Sequence, residues 1–107
     1  MTHDPRILFV CEHGAAKSII AAAYFNKMTR EKKLNLTAIA RGTHPGTELS
    51  PKTVSGLRED GLAPTESIPT RLTREDLESV LRIVSFCELP EEYYQKAIVE
   101  QWDGVPL

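Results

Sequence analysis

Apolar and polar residues alternate in blocks along the chain, and these blocks predict strands that alternate with helices. The predicted strands are short apolar runs at Arg6–Val10, Asn35–Ala40, Ser67–Arg71 and Leu81–Phe86. The predicted helices are longer and amphipathic, at Lys17–Lys33, Ser50–Gly61, Thr73–Val80 and Glu91–Val99. This alternation is typical of an α/β fold with parallel strands, right-handed crossovers and helices on both faces of the sheet.

The first predicted helix has a candidate core face. Ile20, Tyr24 and Met28 recur at four-residue steps, so we expect this stripe to pack against the sheet. The later helices have start signals, since Ser50 precedes a proline and Thr73 begins a capping-box pattern.

The junction between the first strand and the first helix has the strongest chemical signal. The strand runs into Cys11, a glycine-containing loop follows, and Lys17 and Ser18 begin the helix. Such a loop directs backbone N–H groups toward the positive end of a helix, where an oxyanion or a thiolate is stabilised. Thiols at helix N-termini ionise more readily than ordinary buried thiols, so we expect Cys11 to be a nucleophile.

These residues resemble the signature of the low-molecular-weight protein tyrosine phosphatases and of the thioredoxin-coupled arsenate reductases that share their fold. The signature is a cysteine, five residues, an arginine and a serine or threonine, and here it reads Cys11, Glu12 to Ala16, Lys17 and Ser18. The resemblance implies one domain over residues 1–107, short at its C-terminus, with a four-stranded parallel sheet in the order 2-1-3-4. Lys17 departs from the family, which has arginine at this position. The lysine ammonium lacks the planar guanidinium with which arginine binds two oxygens of a phosphoryl group.

The resemblance also implies roles for the site residues. Cys11 would attack the substrate and Ser18 would hydrogen-bond the thiolate. The phosphate, sulfate or arsenate oxyanion would lie on a loop formed by Glu12, His13, Gly14, Ala15, Ala16 and Lys17. Asp103 either protonates the leaving group or is a turn residue. No metal or cofactor is expected.

Three loop positions differ from the common family pattern or carry charge. Gly14 stands where the family commonly has an asparagine in a left-handed conformation, which glycine adopts without a Cβ penalty. Glu12 would oppose anion binding unless its side chain faces solvent. His13 is either a switchable cation beside the anion or a solvent-facing residue.

Two residues outside the loop are further candidates. Arg41 ends the second predicted strand and either supplies the guanidinium that Lys17 lacks or lies on the surface. Cys87 follows the fourth predicted strand and is either a core residue or a redox partner of Cys11. With the sheet order that the resemblance implies, Cys87 would lie two strand spacings, about 9–10 Å, from the first strand, which is beyond disulfide reach. The family reductases use a third cysteine, but Tyr93 and Tyr94 occupy that neighbourhood.

Composition narrows the class of protein. With 41% hydrophobic and 26% charged residues, the chain is typical of a soluble globular domain. A net charge of −2 gives no electrostatic footprint for nucleic acid. No apolar run approaches the roughly 20 residues of a membrane span, and no signal-peptide pattern is present. Two separated cysteines and no secretory segment predict a cytoplasmic protein with no membrane partner.

Three functions are therefore weighed. The first is a cysteine-dependent phosphatase acting on a phosphate monoester, including phosphoprotein substrates. The second is an arsenate reductase that uses thioredoxin or a small thiol. The third, of a different class, is an oxyanion-binding or interaction domain with a weakened site.

Overall fold

Four parallel strands form the centre of the protein, which the computed structural model describes over residues 5–78 and 80–102. The strands are β1 (Arg6–Cys11), β2 (Thr37–Gly42), β3 (Val80–Ser85) and β4 (Val99–Gln101). Their spatial order is β2-β1-β3-β4, and every pairing is parallel. The predicted α/β fold and the sheet order are confirmed.

Helices cover both faces of the sheet. They are α1 (Lys17–Glu31), α2 (Pro51–Glu59), a single 3₁₀ turn (Arg74–Leu77) and α3 (Glu91–Lys96). One apolar cluster joins α1 and α2 to the side of β1 and β3 that carries Phe9 and Val84. A second joins the 3₁₀ turn and α3 to the opposite side, which carries Leu8 and Ile83. No helix in the described part of the chain is long and apolar enough to cross a membrane.

Three predicted elements are wrong, and the first is the helix at Thr73–Val80, which is only a 3₁₀ turn at Arg74–Leu77. Ser67–Arg71 is not a strand, because only Arg71 forms an isolated bridge, to Gly42. Pro69 has no N–H to donate to a ladder. The fourth strand is instead β4, which pairs with β3 where a helix was predicted to continue to Val99. The strand before Cys87 is therefore β3, the direct neighbour of β1.

The predicted core face of α1 is also wrong. Tyr24 and Met28 are exposed, and Tyr24 hydrogen-bonds Asp60 at the end of α2. The buried face carries Ile19, Ala22 and Ala23 instead. Small alanine side chains let the helix lie close to the sheet, so the largest apolar residues do not mark the buried side.

The outer edge of β2 is fully hydrogen-bonded within the chain. Side chains satisfy its middle residues: Asn26 bonds both the N–H and the C=O of Ala38, at 2.7 and 3.0 Å, and the Glu66 carboxylate accepts from the Ala40 N–H at 3.2 Å. At the end of the strand, the Gly42 N–H donates to the Thr70 carbonyl at 2.8 Å, and the Leu72 N–H donates to the Gly42 carbonyl at 2.9 Å. The segment after Glu66 is therefore hydrogen-bonded to β2, the outer neighbour of β1.

Candidate functional site

The loop between β1 and α1 lines a cavity of about 260 Å³ at the carboxyl end of β1. The second half of β1 is buried as far as Cys11, where the strand ends, and α1 begins at Lys17. The cavity is lined by Cys11, Glu12, His13, Ala15, Ala16, Lys17, Phe86 and Cys87. The structure thus brings together most of the loop residues predicted from sequence.

The Cys11 thiol lies against the first turn of α1. Its sulfur is 3.1 Å from the hydroxyl oxygen of Ser18, which is fully buried, whereas Cys11 keeps 8% of its surface exposed. The first turn of α1 contains no acidic residue, so nothing on the helix offsets the positive end of its dipole. Both the hydroxyl and the helix end stabilise negative charge on the sulfur.

Four carbonyl groups of the loop accept hydrogen bonds from the segment 43–50, which follows β2. Backbone N–H groups of Thr43, His44, Gly46 and Ser50 donate to the carbonyls of Cys11, Glu12, His13 and Ala15 at 3.2, 2.7, 3.2 and 3.0 Å. A carbonyl and the next N–H point in opposite directions in a trans peptide. The N–H groups of the loop that follow these carbonyls therefore point away from the 43–50 segment, and they can surround an anion.

Two glycines allow this arrangement. Gly14 has φ of +62°, as predicted, a conformation that side chains rarely adopt. Gly42 at the end of β2 lies directly against it, and a Cβ on Gly42 would be 2.7 Å from the Gly14 nitrogen. Sequence reasoning missed the role of Gly42, although a glycine that ends a strand beside a loop is a usable signal for close backbone approach.

The charged loop residues differ in exposure. Lys17 lines the cavity and is half-buried. The Glu12 side chain is exposed, which is the orientation in which its carboxylate would not oppose anion binding. His13 is also exposed, and its Nδ1 lies 3.3 Å from the His44 carbonyl oxygen. Lys17 is therefore the permanent cation on this cavity within residues 5–78 and 80–102.

Arg41 does not reach the cavity, which corrects its prediction as a ligand of the anion. Its Nη1 is 2.8 Å from a Glu66 oxygen and its Nε is 3.1 Å from an Asp76 oxygen. All three side chains are largely buried. Because these carboxylates lie 25 and 35 residues away in sequence, no local pattern revealed them.

Cys87 lies on the same cavity as Cys11, so the predicted separation of two strand spacings is wrong. Its sulfur is 3.9 Å from the Thr43 hydroxyl and 3.7 Å from the Ser85 hydroxyl. Burial raises the pKa of the Cys87 thiol, and the charges of Cys11 and Glu12 act in the same direction. Hydrogen bonds from Ser85 and Thr43 lower that pKa and offset part of the effect. Both cysteines are free thiols.

We expect iodoacetamide to alkylate Cys11 faster than Cys87 at neutral pH. The raised pKa of Cys87 leaves little of its thiolate form, so its rate should climb only as the pH rises above the usual thiol range. Peptide mapping after timed alkylation between pH 6 and pH 10 measures both rates. Inorganic phosphate should slow the reaction at Cys11 by occupying the loop, and equal rates at both thiols across this range would contradict the prediction.

A proton donor and a metal ion are the other groups that such a site could use. Asp103, predicted as a general acid or a turn residue, lies outside the described residues. Within residues 5–78 and 80–102, no cluster of His, Cys, Asp and Glu side chains has the composition to hold a metal ion.

Comparison with known proteins gives a consistent match. The family model for low molecular weight phosphotyrosine protein phosphatase matches residues 6–101. A low molecular weight protein tyrosine phosphatase from T. tengcongensis superimposes with a TM-score of 0.75 at 21% identity, over 89% of this chain and 72% of its own.

Two reductases have the same fold. An arsenate reductase from Archaeoglobus fulgidus has a TM-score of 0.70 at 25% identity, over 91% of this chain and 76% of its own. The thioredoxin-dependent arsenate reductase of Corynebacterium glutamicum has a TM-score of 0.72 at 21% identity, over 96% of this chain. This chain spans about half of that reductase, or 51%.

Proposed function

The chain belongs to the low-molecular-weight phosphotyrosine protein phosphatase family, and we propose that it hydrolyses a phosphate monoester at the Cys11 loop. The observation that carries the proposal is the 3.1 Å contact between the Cys11 sulfur and the Ser18 hydroxyl, on a loop with four carbonyls that are hydrogen-bonded to the 43–50 segment. A stabilised thiolate and a ring of inward N–H groups are what attack on a phosphoryl group requires.

The proposed reaction has two steps. The Cys11 thiolate attacks phosphorus, an S–P bond forms, and the ester P–O bond breaks with its electron pair on the leaving oxygen, which takes a proton. Water then attacks the thiophosphoryl intermediate, loses a proton, and the S–P bond breaks to restore the thiolate and release phosphate. The Ser18 hydroxyl stabilises the sulfur as it leaves, because it donates a hydrogen bond to the thiolate.

Lys17 and the loop N–H groups hold the equatorial oxygens in this proposal. An ammonium acts as a point charge, so the orientation of the phosphoryl group depends more on the backbone N–H groups than it would with arginine. The backbone N–H groups of the loop must therefore be held in fixed positions. The hydrogen bonds that the loop carbonyls accept and the contact between Gly14 and Gly42 hold them there. The substrate proposed is a small or peptide-borne phosphate monoester.

A second candidate, arsenate reduction with an external thiol, is favoured by the position of Cys87. This thiol lines the same cavity as Cys11, and it lies two residues after the end of β3, the strand next to β1. In that reaction the Cys11 thiolate would bond to arsenic as an As–O bond breaks and water leaves. A second thiol would then attack the Cys11 sulfur and lose its proton, so that a disulfide forms while the electron pair of the S–As bond passes to arsenic and releases arsenite. Thioredoxin or a small thiol would supply the two electrons that reduce the disulfide.

Steady-state and pre-steady-state assays of the wild-type protein test the two candidates. We expect 4-nitrophenyl phosphate to give a burst of 4-nitrophenol close to one equivalent per Cys11, because the proposal has the thiophosphoryl intermediate form faster than it hydrolyses. In parallel, arsenate is supplied with thioredoxin, thioredoxin reductase and NADPH. Arsenate-dependent NADPH oxidation without phosphate ester hydrolysis would replace the phosphatase proposal with the reductase.

A further inference from the structure

A second cavity, of about 440 Å³, lies beside the Cys11 cavity, and no step of the proposed reaction uses it. We call it the side cavity, and residues 43–44, 71–72, 88–90 and 93 line it. Thr43 lies between the two cavities: its N–H donates to the Cys11 carbonyl at 3.2 Å, and its hydroxyl is 3.9 Å from the Cys87 sulfur. A peptide whose phosphorylated residue enters the Cys11 cavity can therefore place a neighbouring residue in the side cavity.

The buried part of the side cavity is apolar except for one hydroxyl group. Leu72, Leu89 and Tyr93 line it, and all three are buried. Tyr93 is 6% exposed, and no side chain in the described part of the chain hydrogen-bonds its hydroxyl. Burial raises the pKa of Tyr93, so the hydroxyl keeps its proton and is available as a donor. A buried tyrosine usually pairs its hydroxyl, so this one points to a ligand.

The exposed rim of the side cavity has an arginine that the structure holds in place. Arg71 Nη1 donates to the Thr43 carbonyl at 3.3 Å, and the Arg71 backbone forms a bridge to Gly42 at the end of β2. This bond leaves the other N–H donors of the guanidinium for a ligand. His44 and Glu88 are also exposed on the side cavity, and Glu88 is the carboxylate among its described residues. Donors therefore predominate there.

We propose that the side cavity binds the carboxylate of an acidic residue close to the phosphorylated residue, so that the substrate is an acidic phosphopeptide. The inference rests on the proposed function and names its substrate class. The Arg71 guanidinium binds the carboxylate through two oxygens, and the Tyr93 hydroxyl donates to it. The methylene groups of the bound side chain lie on Leu72 and Leu89. Glu88 offsets part of the attraction.

Phosphotyrosyl peptides test this preference. Each peptide has a single glutamate, alanine or lysine at one of the three positions before or after phosphotyrosine, in an otherwise uncharged sequence. For every protein, kcat/KM for the peptide is divided by kcat/KM for 4-nitrophenyl phosphate, which cancels any effect on the Cys11 loop. We expect glutamate at one or two positions to give a ratio about tenfold higher than lysine. The difference should lie in KM, because the side cavity does not contact the phosphoryl group.

Four variants assign the preference to particular side chains. Arg71→Gln should reduce the difference between glutamate and lysine from about tenfold to less than about twofold, and Tyr93→Phe, which removes only the hydroxyl, to about threefold. Glu88→Gln should increase it. Arg74→Gln is the matched control, because this exposed arginine, 3.0 Å from Glu92, does not line the side cavity. It should keep the wild-type difference.

The proposed function and this inference fail in different ways. Wild-type ratios that are equal for glutamate and lysine at every position, or that favour lysine, overturn the inference. So does a preference for glutamate that survives in Arg71→Gln, or one that Arg74→Gln removes equally, since the latter reports net charge alone. Hydrolysis of 4-nitrophenyl phosphate without hydrolysis of any peptide overturns the inference and leaves the proposed function standing. A wild-type protein that hydrolyses neither overturns both.

Discussion

Serine in place of Cys11 is expected to abolish hydrolysis of aryl phosphates, lowering kcat/KM by roughly 10⁴-fold or more. A serine hydroxyl is a far weaker acid and a weaker nucleophile than a cysteine thiol, so the covalent step loses its nucleophile. The Ser18 hydroxyl, whose oxygen is 3.1 Å from the sulfur, is not a base that could take the proton from a serine at position 11. Stopped-flow and steady-state assays with 4-nitrophenyl phosphate measure the loss.

The same variant separates the three functions. Phosphate binding, measured by calorimetry, should survive in Cys11→Ser because the fastened loop and Lys17 remain. Cys87→Ser is the matched control, since it makes the same chemical change on the other thiol of the cavity, and hydrolysis should be nearly unchanged. Hydrolysis that persists in Cys11→Ser would contradict the mechanism. A wild-type protein that binds phosphate but turns over neither phosphate esters nor arsenate would be a binding domain.

Alanine in place of Gly42 is expected to lower kcat/KM about 100-fold, because the added methyl group would push the loop out of position. Its Cβ would lie 2.7 Å from the Gly14 nitrogen and 2.8 Å from the His13 carbonyl carbon. Both are backbone atoms, so no side chain can rotate to relieve the contact. Overpacking of this kind also costs about 1–3 kcal/mol of unfolding free energy.

Gly56→Ala is the control for that substitution. Gly56 lies within α2, and a Cβ there meets nothing within 4 Å. Alanine at this position should raise the unfolding free energy by about 0.5–1 kcal/mol and leave activity unchanged. Denaturant unfolding and the aryl phosphate assay are read on both variants. A Gly42→Ala protein with wild-type kcat/KM would mean that the Gly14–Gly42 contact does not set the loop geometry.

The parts of the fold that could be predicted are those determined by residues close together in sequence. A buried strand, a loop with glycine at its third position after the cysteine and a helix from Lys17 follow one another without interruption, and each has a local signal. Ser50 was likewise predicted as an N-cap, and its side chain accepts from the Thr53 N–H at 3.4 Å. The capping box at Thr73 also formed, although it begins a short 3₁₀ turn instead of a longer helix.

The errors came from contacts between distant residues. Ser67–Arg71 lies beside β2 without forming a strand, because the Glu66 carboxylate and the backbone of Thr70 and Leu72 hydrogen-bond the edge of β2. Val99–Gln101 pairs with β3 instead and becomes the fourth strand. That exchange moved Cys87 next to the loop. Both roles that the sequence leaves open for Arg41, a ligand of the anion and a surface residue, miss its pairing with Glu66 and Asp76, because those carboxylates are distant in sequence.

The saturated edge of β2 has a consequence for behaviour at high concentration. An exposed edge strand invites another chain to pair with it, and this is a route to aggregation. Here Ala38, Ala40 and Gly42 have no outward backbone group left to offer, because Asn26, Glu66, Arg41 and the 70–72 segment occupy them. An incoming strand would have to displace these partners, and Gly42 would be disturbed with them. The scaffold of the reactive loop is thereby closed to intermolecular β-pairing on this side.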